Sequence, residues 1–384
     1  MRLLNVDNLE LESFDSRPPR YAILSHTWGA EKDEVKFKDV PGVRSEVQEL
    51  LYRGLDGSLV NGVSKIAGSC IQAKAAQPAL RYIWIDTCCI DKSSTPEVSE
   101  SIRSMFDFYT ESEVCFVHLA DVTSTLSDHD IRSQIQRSRW FTRGWTLQEL
   151  LAPRKLLFFN RDWRAIGDQH TLAQDIQAAS KVSRQHLSDF RGASVATKMS
   201  WASRRQTSKV EDRAYSLFGV FGVSMFIDYG EREKAFQRLQ RTILENFRDE
   251  SIFAWTSGQP SSGLLAPTPE CFAGSANMIS NYEKNKPRPP HRIVMDTLEF
   301  WVPAGRNDND ALASYFKSKF KKNLDVTLNC WEPTGDGIQA IRLVFKKENG
   351  RWRRVNCPEF AHSKKLPGTS IGLPKKHQEL YLDL

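Results

Sequence analysis

No stretch of this sequence stays apolar for the roughly 18–20 residues that a membrane-spanning helix requires. The first residues, Met1 to Asn8, lack the apolar core of a signal peptide. A cytoplasmic protein without a membrane span is the expectation. Cysteine is scarce and unpatterned: seven residues, an odd number, with no Cys-x-x-Cys pair. That favours reduced thiols over a disulfide framework. Neither the cysteines nor the eight histidines show zinc-ligand spacing, so no metal is expected. The glycine patterns that cradle phosphates are missing too. There is no Gly-x-x-x-x-Gly-Lys-Ser/Thr loop and no Gly-x-Gly-x-x-Gly after a strand, and Gly219-Val-Phe-Gly222 is too sparse to count. The absence of Gly-x-Ser-x-Gly argues against a serine hydrolase of the nucleophile-elbow type. Internal repeats and low-complexity tracts are absent as well.

What remains is an ordinary globular composition. The chain has 384 residues, 40% hydrophobic and 26% charged, enough for two to three domains. The net charge of +6 comes from the last hundred or so positions. The basic residues there are scattered singly and in pairs, which reads as a solvated β-surface and not as a nucleic-acid stripe. Nucleic acid is therefore not an expected partner.

Four short apolar runs read as buried strands: Tyr21 to Ser25, Tyr82 to Asp86, Val114 to Leu119 and Lys155 to Phe159. Their near-continuous hydrophobicity suits strands covered on both faces. Helical spacing separates them. Val63, Ile66, Cys70 and Ala73 form one stripe, and Ile102, Met105, Phe106 and Tyr109 form another. Ser94 and Glu97 match a capping box at the start of the second, with Pro96 in its first turn. Strand and helix in alternation predict a parallel sheet with helices on both faces. After residue 160 the pattern is mostly helical, with a stripe at Phe236, Leu239, Ile243 and Phe247 and a buried helix over Asp212 to Gly219. From about residue 251 it turns to β. Thr297 to Val302 alternates, and Ile341–Phe345 and Trp352–Val355 flank the hairpin signal Asn349-Gly350. Pro287 to Pro290 is a candidate linker.

In open α/β sheets ligands sit beyond the carboxyl ends of the strands. Here those ends carry Ser25, His26, Trp28, Gly29 and Asp86. The segment Arg143-Gly-Trp-Thr-Leu-Gln-Glu-Leu-Leu151 adds a carboxylate, Glu149, four residues after Trp145. Residues four apart share a helix face, so indole and carboxylate project together, as a site for a sugar beside a flat ring would need. Equally, Trp145 can be core and Glu149 can simply answer Arg143. Cys88 and Cys89 end a strand that His26 can approach, so a Cys–His nucleophile is conceivable. A carboxylate suits glycosidic cleavage, whose transition state is oxocarbenium-like. When nicotinamide leaves as a neutral base, one placed glutamate with stacking surfaces (Trp28, Trp145) and polar groups (Ser25, His26, Arg143) suffices.

Three blocks together resemble the fungal heterokaryon-incompatibility (HET) domain. They are Tyr21-Ala-Ile-Leu-Ser-His-Thr-Trp-Gly29, Tyr82-Ile-Trp-Ile-Asp-Thr-Cys-Cys-Ile-Asp91 and Ser138-Arg-Trp-Phe-Thr-Arg-Gly-Trp-Thr-Leu-Gln-Glu-Leu-Leu151. The resemblance continues through Glu211 to Gly219, Tyr229-Gly230 and Ser251 to Trp255, covering roughly residues 1–275. Cys88 stands where a larger aliphatic residue is usual in the family, and Lys92 where glutamine is common. The resemblance implies a role in fungal non-self recognition and programmed cell death. The HET domain is in turn distantly similar to the Toll/interleukin-1-receptor (TIR) domain, whose Trp-x-x-x-Glu motif matches Trp145-x-x-x-Glu149. That similarity implies a TIR-like (flavodoxin-like) α/β core over 1–160; the patterning predicts a helical extension over 161–250 and a mainly β part over 251–384. It further implies hydrolysis of NAD+, as substrate and not cofactor, with Glu149 catalytic. Ser25, His26, Trp28, Gly29, Asp86, Arg143 and Trp145 are the expected substrate-binding residues. Self-association on activation, by a protein partner that the sequence does not identify, is part of the same expectation. The alternative is a non-catalytic interaction module that signals by assembly.

Overall fold

The computed structural model describes residues 1–55, 60–123, 128–247, 249–258 and 263–280. Beyond them it describes the segments 292–294, 297–302, 323–334, 337–348, 351–355, 361–363 and 378–383. The chain forms two compact units. One holds Met1–Phe190 with Arg205–Ile227, the other Arg191–Arg204 with Asp228–Leu384.

The first unit is built on a seven-stranded sheet. Its strands are β1 (Arg2–Asn5), β2 (Leu11–Ser13), β3 (Tyr21–His26), β4 (Tyr82–Trp84), β5 (Val114–His118), β6 (Leu156–Phe159) and β7 (Ala165–Asp168), in the order β2-β1-β4-β3-β5-β6-β7. The four apolar runs of the sequence are the central strands β4, β3, β5 and β6, and they pair in parallel. Every residue of β3 and β5 is buried, as continuous hydrophobicity requires. The expectation of a purely parallel sheet is corrected at both edges. β1, β2 and β7 are antiparallel, so the sheet is mixed. These edge strands have three or four residues each and tight returns over 6–10 and 160–164, which only antiparallel neighbours permit. Three or four residues are too few for an alternation to stand out.

Within the parallel core the second strand in the chain lies on one side of the first, and the third lies on the other. The winding therefore reverses between β3 and β5, and their carboxyl ends border the crevice where open α/β sheets take ligands.

The helices of this unit that bear on the site are α1 (Val40–Arg53), α2 (Gly62–Ala75), α3 (Asp86–Cys89), α4 (Thr95–Glu111), α5 (Asp128–Arg137) and α6 (Thr146–Leu151). Successive strand residues point to opposite faces. On one face of β3 the Tyr21 hydroxyl donates to Phe108 O of α4 at 2.6 Å, and Ser25 reaches α6. On the other face His118 of β5, paired with His26, stacks on Trp163 at 4.5 Å. Trp163 in turn lies against Gly68 of α2, where an added Cβ would sit 2.1 Å from the indole. Helices α4 and α6 thus cover one face and α2 the other. Ser94 caps α4 by accepting from Glu97 N at 3.4 Å, but the reciprocal half of the expected box is missing. The Glu97 carboxylate turns instead to Arg2 Nη1 at 2.7 Å and Asp91 N at 2.8 Å. The charge-assisted Arg2 bond draws the carboxylate away from the cap, and Asp91 N shares the same oxygen.

In the second unit the amphipathic stripe forms the helix Lys234–Asn246. Its Gln240 side chain mimics a strand partner, exchanging bonds of 2.8 and 2.9 Å with the backbone of Ala266. Strands Gly337–Glu348 and Arg351–Arg354 pair antiparallel with Glu348 opposite Arg351; the turn residues Asn349 and Gly350, and Pro287–Pro290, lie outside the described residues. In the first unit, the helix expected over 212–219 is two short ones, Asp212–Tyr215 and Phe218–Phe221; the second unit is held by Arg354. Arg354 is fully buried. It donates to Phe253 O at 3.1 Å and Trp255 O at 2.6 Å, and its guanidinium lies 4.3 Å from the Trp255 ring centroid. Removing it strands two buried carbonyls, at about 1–3 kcal/mol each. Arg354→Met is therefore expected to lower the melting temperature of the full chain by several degrees, at about 2–4 °C per kcal/mol. An unchanged melting curve would remove Arg354 from the account of this unit.

Candidate functional site

The site starts from Ser25, the penultimate residue of β3, which is fully buried. Its hydroxyl accepts from Trp140 Nε1 at 2.8 Å and donates to Glu149 Oε2. Trp140 belongs to a 3-10 turn, Arg139–Thr142, that Ser138 caps. Asp121 fixes that turn by accepting from Ser138 Oγ and Arg139 N, both at 2.7 Å. Thr146 ties the start of α6 to the same turn through Trp140 O at 2.5 Å. Arg205, from a distant segment, donates to Thr146 Oγ1 at 3.0 Å and Arg143 O at 2.9 Å. The Tyr109 hydroxyl donates to Leu24 O at 3.1 Å and also interacts with the Glu149 carboxyl.

Glu149 is buried, at 7% exposure. Burial pushes its carboxyl up to about 8; the Ser25 and Tyr109 hydroxyls and the Arg205 charge pull it down, while the Asp86 charge pushes it further up. Desolvation wins because a charge in a dry interior loses more hydration than neutral hydroxyls return. Arg205 is its counterpart: burial brings its guanidinium down to about 9 and Glu149 holds it up.

A second cluster lies just past the end of β3. Asp86 Oδ1 is 3.0 Å from His26 Nε2, and Asp86 Oδ2 accepts from Trp28 Nε1 at 2.8 Å. Burial raises the Asp86 carboxyl, but the His26 bond, the Lys92 and His26 charges and the Trp28 bond together bring it to about 2. Lys92 Nζ sits 3.6 Å from the Trp28 ring centroid, and Arg139 Nη2 donates to Trp28 O at 2.7 Å. Gly29 N donates to Glu34 Oε1 at 2.6 Å. Lys65, buried and paired with Glu34, donates to Thr27 O at 3.1 Å.

The expected residues therefore divide between two clusters. Ser25 and Glu149 meet on the α4/α6 face; His26, Trp28, Gly29 and Asp86 gather at the strand end. Ser25 and His26 are neighbours on one strand, so the pleat sends them apart. Consecutive residues rejoin the clusters: Arg139 holds Trp28 and Trp140 holds Ser25. Both parts of the alternative reading of the Arg143–Leu151 segment fail. Arg143 does not answer Glu149; its Nη2 turns to Ser208 Oγ at 3.2 Å. Trp145 precedes α6 with helical φ and ψ, keeping the i to i+4 relation, but it is half-buried and not core. Among the described residues no hydrogen bond joins its indole to either cluster. The thiol idea fails as well. His26 is engaged with Asp86, Cys88 Sγ contacts Ile85 O at 3.9 Å, and a bond to Cys89 together with burial drives the Cys88 thiol well up. Tyr109, Arg139, Trp140 and Lys92 were all visible in apolar or motif segments without a role. Arg205 carried no local signal at all.

Residues 21–130 match the family described as heterokaryon incompatibility protein (HET). Over 258 residues the chain is 40% identical to vegetative incompatibility protein HET-E-1 of Podospora anserina, a match spanning 63% of this chain and 18% of that protein. The chain carries a HET domain. Its first three central strands, the Trp28 cluster and Lys92 fall inside the matched residues 21–130, whereas Glu149 falls after them. Residues 234–340 match a domain of unknown function (DUF8212). No solved structure matches.

The raised Glu149 carboxyl links stability to pH. The unfolded chain releases this proton near 4.5, and the folded chain keeps it to about 8. The folded state binds more protons between those values. Its contribution is full below pH 4.5 and is lost as pH rises towards 8. Glu149→Gln fixes the neutral form. The melting temperature of the variant minus that of the unsubstituted chain is expected to grow by several degrees from pH 5 to pH 8. A constant difference would show that Glu149 titrates normally.

Proposed function

We propose that this chain is a HET-type cell-death effector module that hydrolyses NAD+ to nicotinamide and ADP-ribose, with Glu149 as the catalytic carboxylate. The observation that carries the reading is a buried carboxyl held by Ser25 at the carboxyl end of β3, beside the exposed Trp28 cluster and the reversal of the parallel sheet. The identity to a vegetative incompatibility protein and the Trp145-x-x-x-Glu149 similarity to TIR domains support the two halves of the proposal. In the reaction the bond from ribose C1′ to the nicotinamide nitrogen breaks, and its electron pair leaves with the neutral base. An ionised Glu149 stabilises the positive charge that develops on the ribose. Water then adds to C1′ and releases a proton.

That chemistry needs an ionised carboxylate, and the resting site favours a neutral one. Burial thus holds the activity off. Any motion of the Arg139–Thr142 turn that admits water to Glu149 favours the charged form. Self-association triggered by an activating partner is a simple cause of such motion. Among the described residues no helix is long and apolar enough to cross a membrane, and the proposed setting is the cytoplasm.

A second reading has its own observation. Glu149 is surrounded by Ser25, Tyr109 and Arg205, so it also ties α6 to β3 and α4. In that reading the chain signals by assembly, and Glu149 only stabilises the fold.

The separating test uses Glu149→Gln, with NAD+ turnover and toxicity in a fungal host measured at matched folded concentration. Loss of the charge is expected to reduce turnover by about 10²- to 10³-fold and to abolish toxicity. A folded variant that stays fully toxic leaves the assembly reading standing and removes the hydrolase. The unsubstituted chain is also expected to turn over NAD+ poorly as a dilute monomer and faster when clustered by a fused dimerisation domain. Full activity in a monodisperse monomer at nanomolar concentration would contradict the proposed off state.

A further inference from the structure

Trp28 is an unusual surface residue. Its indole is 45% exposed, yet its position is fixed from every side. Lys65 holds Thr27 O, Arg139 holds Trp28 O, Asp86 holds the indole N–H, and Glu34 holds Gly29 N. A large exposed ring that is this immobile contributes little to the core, and rigid support of this kind is what a binding surface needs. Stacking on such a ring is open to any flat base.

The charges around it point to an anion. Lys92 and Arg139 both touch Trp28, one at its ring face and one at its carbonyl. Neither forms an ion pair with a carboxylate among the described residues. Arg2, Arg20 and Arg53, by contrast, are paired with Glu97, Glu113 and Glu49. The carboxylate nearest the ring, Asp86, is already held by His26 and by the indole itself. His26, at 6% exposure, keeps its Nδ1 buried with no hydrogen-bond partner. Two cations and an exposed ring therefore meet at the carboxyl end of β3, beside the reversal of the sheet.

We propose that Lys92 and Arg139 bind the phosphate groups of a nucleotide whose base stacks on the exposed part of the Trp28 indole. The inference rests on the NAD+ reading of the same site and assigns it a recognition end distinct from Glu149. The link between the two ends is covalent. Arg139 grips the Trp28 carbonyl while its neighbour Trp140 grips Ser25, the partner of Glu149. A ligand drawn in by Arg139 thus pulls on the turn that keeps Glu149 buried. Arg139 binds and positions; Lys92 binds.

The test measures binding separately from turnover. The probes are ADP-ribose and nicotinamide riboside, titrated calorimetrically into the full chain in the Glu149→Gln background, with melting curves recorded for each variant. Lys92→Met and Arg139→Met are each expected to weaken ADP-ribose binding about tenfold, the effect of losing one charge-assisted bond. Lys92→Met is expected not to weaken nicotinamide riboside, a cation with no phosphate, and Arg139→Met, which also frees the Trp28 carbonyl, to weaken it less than it weakens ADP-ribose. Arg139→Lys keeps the charge and is expected to restore most of the affinity. Trp28→Ala is expected to weaken both probes, and Trp28→Phe to recover them in part. Added salt is expected to reduce ADP-ribose affinity in the parent and to do so less in the Lys92 and Arg139 variants. Equal ADP-ribose affinity in parent, Lys92→Met and Arg139→Met would overturn the proposal, as would no detectable binding by the folded parent. Phosphate-dependent binding without any NAD+ turnover by the unsubstituted, clustered chain would retain the nucleotide site and reject the hydrolase.

Discussion

The structure of the first unit depends on one buried carboxyl group. Glu149 is where β3, α4 and α6 converge: Ser25 comes from the first, Tyr109 from the second, and the third carries the glutamate itself. Arg205 closes the arrangement from a segment more than fifty residues further on. An ionised carboxylate in this setting loses most of its hydration, and two hydroxyls with one nearby guanidinium do not replace it. The neutral acid is the form that fits. The fold therefore favours the protonated form of this side chain, as at many sites where burial tunes a titrating group.

The strand-end cluster answers a different physical requirement. Asp86 is partly exposed, at 19% of its side chain, and every neighbour that touches it favours its charge. It stays ionised and fixes both the imidazole of His26 and the indole of Trp28. The unit thus holds two carboxyl groups in opposite states, a pattern that assigns them different roles. Asp86 organises the strand-end cluster, and Glu149 lies with Ser25 on the α4/α6 face. The turn Arg139–Thr142 bonds to a partner of each, Trp28 for Asp86 and Ser25 for Glu149, and so connects them.

How much of this was legible in the sequence follows from the range of each interaction. The four central strands were readable because continuous burial leaves continuous apolar runs. The helix α4 was readable from its stripe and its cap. The edge strands β1, β2 and β7 were not, since three or four residues carry no period. The one-turn helix α3 was hidden for the same reason, and Asp86–Cys89 read as a strand end. Of the site, the placement of Ser25, His26, Trp28 and Asp86 at or just past the strand ends followed from topology. The pleat that separates Ser25 from His26 was equally knowable but went unused. Arg143 was the natural partner for Glu149 by proximity in sequence, and proximity misled. Arg205 supplies the charge from far along the chain, where no spacing rule reaches. Lys92 stood out only as a departure from a resembling family, and its contact with Trp28 gives that departure a physical meaning.

The central claim is that Glu149 carries a proton in the resting protein. Infrared difference spectroscopy tests it directly, by comparing the unsubstituted chain with Glu149→Gln across a pH titration. The account predicts a protonated-carboxyl band that the variant lacks, that persists through neutral pH and that disappears as the pH passes about 8. A band already lost by pH 5 to 6, leaving an ordinary carboxylate in the resting chain, would contradict it.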